Sequence, residues 1–240
     1  MNGSLDALEG ACLVVAHPDD EVLWFSSILA RVGRVVICFE HCADLPELAR
    51  GRALVRTEYP LSNVTWLQLP EPCSVHQVDW TQPAFGPHGL HLNAPAASAE
   101  RCEAYVSCSA RLQEALAPHV SGTRHVFTHN PWGEYGHPDH AQLARVLGDL
   151  RAELGYRLLY SGYVASRTMP LAAQVLPQLG AAGRIATHAE LASRIAALYL
   201  KHACWTWPAD YQRFEAETFL ENTGRSPRAG SGFALNCITA

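Results

Sequence analysis

Two short runs of histidine and acidic residues have the composition of a catalytic or metal-binding site. The run His17–Glu21 reads His-Pro-Asp-Asp-Glu, and the run His137–His140 reads His-Pro-Asp-His. Histidine is the commonest metal ligand in proteins, and a carboxylate three residues further on can face the same ion from a helix start. Two adjacent aspartates point in different directions, so one can bind a metal while its neighbour transfers a proton. Each run alone also fits an ordinary helix start, because acidic residues in a first turn favour the helix dipole.

The first run lies between a predicted strand and a predicted helix. The continuous apolar run Ala11–Ala16 predicts a buried strand, and apolar residues at helical spacing predict a helix over 21–33. A second buried strand is predicted over Val35–Phe39. A strand, a helix and a strand within about 30 residues indicate a βαβ unit in a parallel sheet. Ligands bind beyond the carboxyl ends of such strands, which is the position of His17.

The second run has the same setting. A short strand is predicted over His125–Thr128, a loop over 130–136, and a helix that opens at Pro138. His140 shares the apolar stripe of that helix with Leu143 and Leu147, so we expect its side chain to face the sheet. His137 lies just outside the helix and is expected to point across the same crevice. Two such junctions favour one shared site over two separate helix starts.

The rest of the chain predicts further alternation of strands and helices. Strands are predicted over 64–69 and 158–160, and helices over about 98–116 and 188–202. Residues 70–97 are rich in Pro, Gly and His with little periodicity, which predicts a long loop. No internal repeat or linker is visible, so we expect one domain over 1–240.

Composition excludes several classes of protein. The chain has 240 residues, 48% of them hydrophobic and only 17% charged, with a net charge of −5 and 12 histidines. Without any run of Lys or Arg, a nucleic-acid binder is disfavoured. The apolar runs are too short to span a membrane, and residues 1–10 lack a signal peptide pattern, so we expect a cytoplasmic protein. Its eight cysteines form no Cys-x-x-Cys pair and are expected to be reduced.

The two runs together resemble the motifs of the PIG-L/LmbE-like family of zinc-dependent N-deacetylases, with the matches at Ala16–Glu21 and Gly136–His140. The resemblance covers the first βαβ unit and about residues 125–155, and it is weak over 70–97 and beyond about 167. It implies a Rossmann-like three-layer α/β/α sandwich with a mostly parallel sheet. It also implies removal of acetyl groups from N-acetylglucosamine-type sugars in a small-molecule conjugate. The segments 70–97 and 167–240 are then expected to determine the substrate.

The resemblance also assigns roles to individual residues. It implies a metal ion held by His17, Asp20 and His140. It implies Asp19 as the general base and His137, most simply protonated, as the group that stabilises the oxyanion. Both Zn²⁺ and Fe²⁺ suit two histidines and one aspartate.

Five further residues are candidates at the same site. Tyr135 resembles a substrate-polarising tyrosine of some family members, and Arg56 or Arg52 corresponds to a substrate-binding arginine. Asp139 is expected to orient His137 or His140 as an outer carboxylate. Trp132, in the loop that leads to Tyr135, is expected to touch the substrate.

The sequence therefore predicts a metal-dependent amide hydrolase that deacetylates an amino-sugar conjugate. One alternative is an amidase that cleaves a larger acyl group from a thiol or sugar conjugate. Another is a binding protein that keeps the fold without turnover, although every expected catalytic position is filled. A metal-dependent phosphoesterase is disfavoured because it would need a second metal ion and more carboxylates. The sequence indicates neither the sugar nor the oligomeric state.

Overall fold

A computed structural model describes residues 8–223 and 234–239. The chain alternates strands and helices through most of its length. The strands are β1 Cys12–Val15, β2 Arg34–His41, β3 Val64–Pro70, β4 Phe85–Gly86, β5 Gly89–Leu90, β6 His125–Thr128, β7 Arg157–Ser161, β8 Tyr163–Ala165, β9 Leu179–Ala186, β10 Ala216–Asn222 and β11 Asn236–Ile238. The helices are α1 Asp20–Leu23, α2 Pro46–Glu58, α3 Ala99–Val120, α4 Pro138–Leu154, α5 Met169–Val175 and α6 Ala189–Lys201.

Seven strands form the central sheet, in the order β3-β2-β1-β6-β7-β10-β9. The first five are parallel, and β10 runs antiparallel to both of its neighbours. β1 lies in the middle of the parallel part, so the residues that follow β1 and β6 emerge side by side at one edge of the sheet. This edge is the carboxyl end, where ligands bind in open α/β sheets.

Both faces of the sheet are covered, which explains why β1 is apolar throughout and β2 is apolar over Val35–Phe39. Alternate residues of β1 point to opposite faces: Val14 joins a core that includes Leu112 of α3 and Leu147 of α4. Leu13 points the other way, into a core that contains Ile195 of α6. The result is the predicted three-layer α/β/α sandwich with a mostly parallel sheet.

The helix predicted over 21–33 is wrong for most of its length. Only α1 is helical, and turns continue to Gly33. The physical reason lies far away in the chain: the backbone N–H and hydroxyl groups of Ser26 and Ser27 all donate to the carboxylate of Glu217, at 2.6–3.0 Å. These bonds replace helical ones, while Phe25 and Leu29 still reach the core.

Most other predicted elements are present within a few residues of their expected bounds. α3 continues through Pro118 to Val120, one turn beyond the predicted end. The loop predicted over 70–97 contains only the two short strands β4 and β5. In the described part of the chain, no helix has both the length and the apolar character needed to cross a membrane. Of the predicted variable segment 167–240, residues 224–233 and 240 lie outside the described residues, as do residues 1–7.

Candidate metal centre

His17, Asp20 and His140 bring three donor atoms together at the carboxyl edge of the sheet. His17 Nδ1 and His140 Nε2 lie 3.3 Å apart, and Asp20 Oδ2 lies 3.3 Å from the first and 3.2 Å from the second. All three residues are buried. We call these three atoms the metal cradle.

The remaining nitrogen of each cradle histidine faces a carboxylate. His17 Nε2 lies 3.2 Å from Asp139 Oδ2, and His140 Nδ1 lies 2.8 Å from Glu134 Oε2. Each ring therefore donates its proton outward and turns a lone pair toward the cradle, which is the usual arrangement around metal-binding histidines.

The cradle fits a zinc ion on both distance and chemistry. Tetrahedral bonds of about 2.0–2.1 Å separate two ligand atoms by about 3.4 Å, close to the separations found here. With each ring proton facing its outer carboxylate, two ring lone pairs and a carboxylate oxygen point toward one another. A cation is the natural occupant of such a group of donors.

The contact of the Asp139 side chain differs from the predicted one. Its side chain orients His17, not His137 or His140, and it also accepts a hydrogen bond from Ser74 Oγ. Although burial acts to raise the pKa of Asp139, the bond from His17 and the nearby His137 lower it on balance. Asp139 is therefore an ionised outer carboxylate, as predicted, but for a different histidine.

Glu134 is the outer carboxylate that sequence reasoning missed. It accepts from His140 Nδ1, from His129 Nδ1 at 3.1 Å, from the Asn130 backbone N–H and from the Ser161 hydroxyl. Burial acts to raise its pKa, but the two histidines and their bonds lower it to about 2. The only sequence signal was an acidic residue inside the loop that precedes the second motif.

His129 lies beside the cradle without being a suitable ligand. Its ring stacks on His140 at a centroid distance of 3.8 Å, and its Nε2 is 3.3 Å from Asp20 Oδ2. However, the backbone N–H of Ala16 donates to that same Nε2 at 3.0 Å. Because that lone pair is already used, we expect His129 to support the cradle from behind, and its exclusion from the ligands stays a prediction.

Asp19 lies at the start of α1 with a left-handed backbone, φ +92°. Its carbonyl oxygen accepts from the N–H groups of Val22 and Leu23, both at 3.0 Å. Its carboxylate accepts from the backbone N–H and hydroxyl of Thr206, at 2.8 and 2.7 Å. Burial and the adjacent Asp20 raise the pKa of Asp19 to about 7, against the opposing effect of Thr206. A carboxyl group with that pKa can both accept and return a proton near neutral pH.

His137 caps α4 and lies over the cradle. Its Nδ1 accepts from the Asp139 backbone N–H at 3.3 Å, and its ring centroid is 4.6 Å from those of both His17 and His140. Burial and these two histidines hold the pKa of His137 well below its usual range. The structure thus favours a neutral ring that donates through Nε2, where the sequence analysis expected a protonated one.

The loop before α4 turns sharply at Gly136, which separates Tyr135 from His137. Gly136 has φ +100°, and a Cβ atom there would lie 2.3 Å from ring atoms of Trp80. Only glycine fits such a position. The turn lets Tyr135 line the cavity in contact with the Trp207 ring, at a centroid distance of 4.8 Å.

The site opens into a cavity of about 560 Å³. Its lining includes the catalytic candidates Asp19, Tyr135 and His137 together with a wall from two distant segments, residues 71–77 and 206–207. We call these two segments the cavity wall. Trp207 belongs to it and also packs against the core that contains Ile195.

Two predicted substrate contacts are not where the sequence suggested. Trp132 is fully buried in the core, where its indole N–H donates to the carbonyl of Tyr163 at 2.8 Å. Arg56 pairs with Glu40 at 2.7 Å and does not line the cavity. Arg52, one turn earlier in α2, does line it and contacts Glu71. Arg52 and Arg56 lie one turn apart on α2, so the sequence did not reveal which of them lines the cavity. The loop composition around Trp132 likewise did not reveal that its side chain is buried.

Comparison with known proteins supports the fold. No family model matches the chain, and a search of curated proteins finds no match. Among solved structures, the zinc-inhibited form of a teicoplanin deacetylase matches with a TM-score of 0.53 and 13% identity. A deacetylase–bog complex from teicoplanin biosynthesis matches with a TM-score of 0.53 and 12% identity. Each match covers 88% of this chain and 97% of the other, so the fold is shared over nearly the whole length.

Proposed function

We propose that this chain is a metal-dependent amide hydrolase that removes an acetyl group from an N-acetylglucosamine-type amino-sugar conjugate. The observation that carries the proposal is the metal cradle, in which three lone-pair donors converge at 3.2–3.3 Å beside the buried carboxyl group of Asp19. The two similar structures are deacetylases connected with teicoplanin, which agrees with this activity.

His17, Asp20 and His140 would hold Zn²⁺, and Fe²⁺ suits the same donors. When bound, the ion supplies Lewis-acid chemistry: it lowers the pKa of water to about 7 and polarises an amide carbonyl. Asp139 and Glu134 fix the two histidine rings in the tautomers that this binding needs. The three ligands leave the cavity side of the cradle open to water and substrate.

The chain's own residues then move the proton. Asp19 accepts a proton from the attacking water as the new carbon–oxygen bond forms, and later gives it to the amide nitrogen as the carbon–nitrogen bond breaks. The products are acetate and the free amine. His137, neutral and bonded through Nδ1 to the backbone, donates through Nε2 to the oxygen that gains charge.

The cavity wall is suited to a sugar conjugate. Tyr135 and Trp207 offer aromatic surface for stacking on a sugar ring. Arg52 lines the same cavity, where it pairs with Glu71, and we infer that its guanidinium group contacts a substrate oxygen. The wall comes from residues 71–77 and 206–207, within the segments 70–97 and 167–240 that we propose determine the substrate.

The test is a deacetylation panel with protein that has been stripped of metal and reloaded with one equivalent of Zn²⁺ or Fe²⁺. The panel holds N-acetylglucosamine, its nucleotide-linked form, chitobiose, inositol conjugates and glycosylated natural products, each with acetyl and with longer acyl groups. We expect acetate release from one class, and none from the His140→Ala protein prepared in parallel. If only the longer acids were released, the activity would be that of an amidase for larger acyl groups and not that of a deacetylase. A protein that binds the metal and hydrolyses no member of the panel would refute the proposal.

A further inference from the structure

A second group of metal-binding side chains lies beside the cradle and is used by none of the steps above. The thiols of Cys42 and Cys73 and a carboxylate oxygen of Glu71 all lie within 4.8 Å of one another. All three residues line the cavity. All eight cysteines of the chain are free thiols, so neither sulfur is held in a disulfide.

The topology of the sheet builds this group from residues far apart in the sequence. β2 and β3 are parallel neighbours in which His41 pairs with Pro70. Cys42 follows the first strand and Glu71 the second, and the Glu71 N–H donates to the His41 carbonyl at 2.8 Å. The chain then turns at Cys73, which has a left-handed backbone with φ +53°. A Cys-x-x-Cys search cannot find such a pair.

The net negative charge around the group suits a divalent cation. With both thiols ionised, Cys42, Cys73, Glu71 and Asp44 carry four negative charges. Arg52 contacts Glu71, and Arg101 contacts Asp44 at 2.6 Å, so two guanidinium groups offset two of those charges. One divalent cation would neutralise the remaining two. Burial and the nearby Glu71 raise the pKa of the Cys42 thiol to about 11, so the metal ion has to displace that proton when it binds.

We propose that Cys42, Cys73 and Glu71 form a second metal site, distinct from the cradle, that takes a soft divalent cation such as Zn²⁺. Thiolates select soft ions over Mg²⁺ and Ca²⁺. Bonds of about 2.3 Å from zinc to sulfur separate two sulfur ligands by about 3.8 Å, which small side-chain rotations reach from the present arrangement. Binding releases the two thiol protons to solvent and involves no oxidation or reduction.

The position of the site gives it a consequence for catalysis. Glu71 Oε1 is 4.0 Å from Nε2 of the cradle residue His17, so the two sites adjoin in one cavity. An ion bound there narrows the space for substrate, and it draws the Glu71 carboxylate away from Arg52. Excess Zn²⁺ therefore inhibits the enzyme. This inhibition rests on the proposed hydrolase function, whereas the binding itself does not.

The binding is tested with the full-length protein, stripped of metal and kept reduced with a phosphine that does not chelate. Cd²⁺ is titrated while the thiolate-to-cadmium charge-transfer absorption is followed, and Zn²⁺ equivalents are counted by calorimetry. We expect two Zn²⁺ equivalents and a strong thiolate band. We expect Cys42→Ser and Cys73→Ser each to raise the Kd of the second Zn²⁺ by more than about 100-fold. Such a loss exceeds the roughly 10–100-fold effect of removing a residue that only hydrogen-bonds to a ligand.

Two matched proteins separate this site from the cradle. Cys237→Ser changes an exposed cysteine on β11 and should keep both equivalents and the full band. His140→Ala should lose one equivalent and keep the band. The proposal is overturned if the parent protein shows no thiolate band, or if Cys42→Ser and Cys73→Ser, verified as folded by circular dichroism, leave the band and the stoichiometry unchanged.

The inhibition is tested separately, by measuring deacetylation at one and at two equivalents of Zn²⁺. We expect the second equivalent to lower the rate of the parent and of Cys237→Ser, but not that of Cys73→Ser. Equal inhibition of Cys73→Ser would overturn the link to catalysis. A protein without deacetylase activity would still give the thiolate band, so failure of the proposed function is distinguishable from failure of this site.

Discussion

The metal cradle and the cavity wall face each other across one cavity, yet they are held in different ways. Each cradle histidine is fixed by a buried carboxylate, and Glu134 alone accepts bonds from His129, His140, Asn130 and Ser161. The wall meets the residues beneath it through single side chains, among them Ser74 with Asp139, Thr206 with Asp19 and Glu71 with Arg52. A dense network fixes the reacting geometry, whereas the wall presents side chains from two separate segments of the chain to the substrate.

The largest expected effect comes from removing a cradle ligand. His140→Ala takes away one of three donors, and it removes one of the two histidines that lie between Glu134 and Asp20. We expect loss of the cradle metal and of deacetylation, measured as zinc content after dialysis and as acetate release. The control is His125→Ala, which changes a half-buried histidine beside Arg157 at the start of β6. Full zinc occupancy in His140→Ala would show that the cradle is wrongly assigned.

Asp19→Asn should separate the reaction from metal binding. The amide keeps the shape of the side chain and its contact with Thr206, but it cannot accept the water proton. We expect normal zinc content and a fall in kcat of about 10²–10⁴-fold, the usual contribution of general acid–base catalysis. Asp149→Asn, in an exposed pair with Arg145, serves as the control. Wild-type turnover by Asp19→Asn would exclude it as the base.

These two changes act on residues that the sequence already identified, and the reason is local. The cradle and Asp19 lie within two short motifs that follow predicted strands, so strand prediction placed them at one edge of the sheet. The resemblance to the PIG-L/LmbE-like family supplied their individual roles. The same reasoning missed Thr206, which reaches Asp19 across 187 residues of chain. It also missed Glu217, whose bonds to Ser26 and Ser27 end α1 early. Contacts between residues so distant in the chain leave no periodic signal.

Glu134→Gln probes the support of the cradle. Glutamine cannot accept from two histidine rings as an ionised carboxylate does, so the His140 tautomer is less well fixed. We expect zinc affinity to fall about 10–100-fold, measured by competition with a chelator. Glu217→Gln is the matched control: it is equally buried and hydrogen-bonded, but away from the cradle, so it should lower the melting temperature and leave zinc affinity unchanged. Equal zinc affinities in Glu134→Gln and the parent would contradict the outer-ligand role.

The smallest expected effect lies in the wall. Trp207→Ala removes an aromatic surface from the cavity and should raise KM by about fivefold, since aromatic contacts contribute about 1 kcal/mol, with kcat little changed. Trp132→Phe removes a buried hydrogen bond to the Tyr163 carbonyl and should lower the melting temperature without changing KM. The pair compares a wall tryptophan with a core one. If Trp132→Phe raised KM and Trp207→Ala did not, the assignment of the two tryptophans would be reversed.

Asp19 is locally unfavourable for the stability of the fold, although the proposed activity depends on it. Its φ of +92° suits glycine better than any residue with a side chain, and burial beside Asp20 disfavours its ionised form. Replacing the residue would relieve both local demands at the cost of the two bonds from Thr206, whereas the proposed reaction requires a carboxylate there. Selection for heat resistance alone would therefore discard Asp19 early, and a library screened in that way would gather inactive proteins. Any programme to stabilise this chain has to hold position 19 constant and look for gains elsewhere.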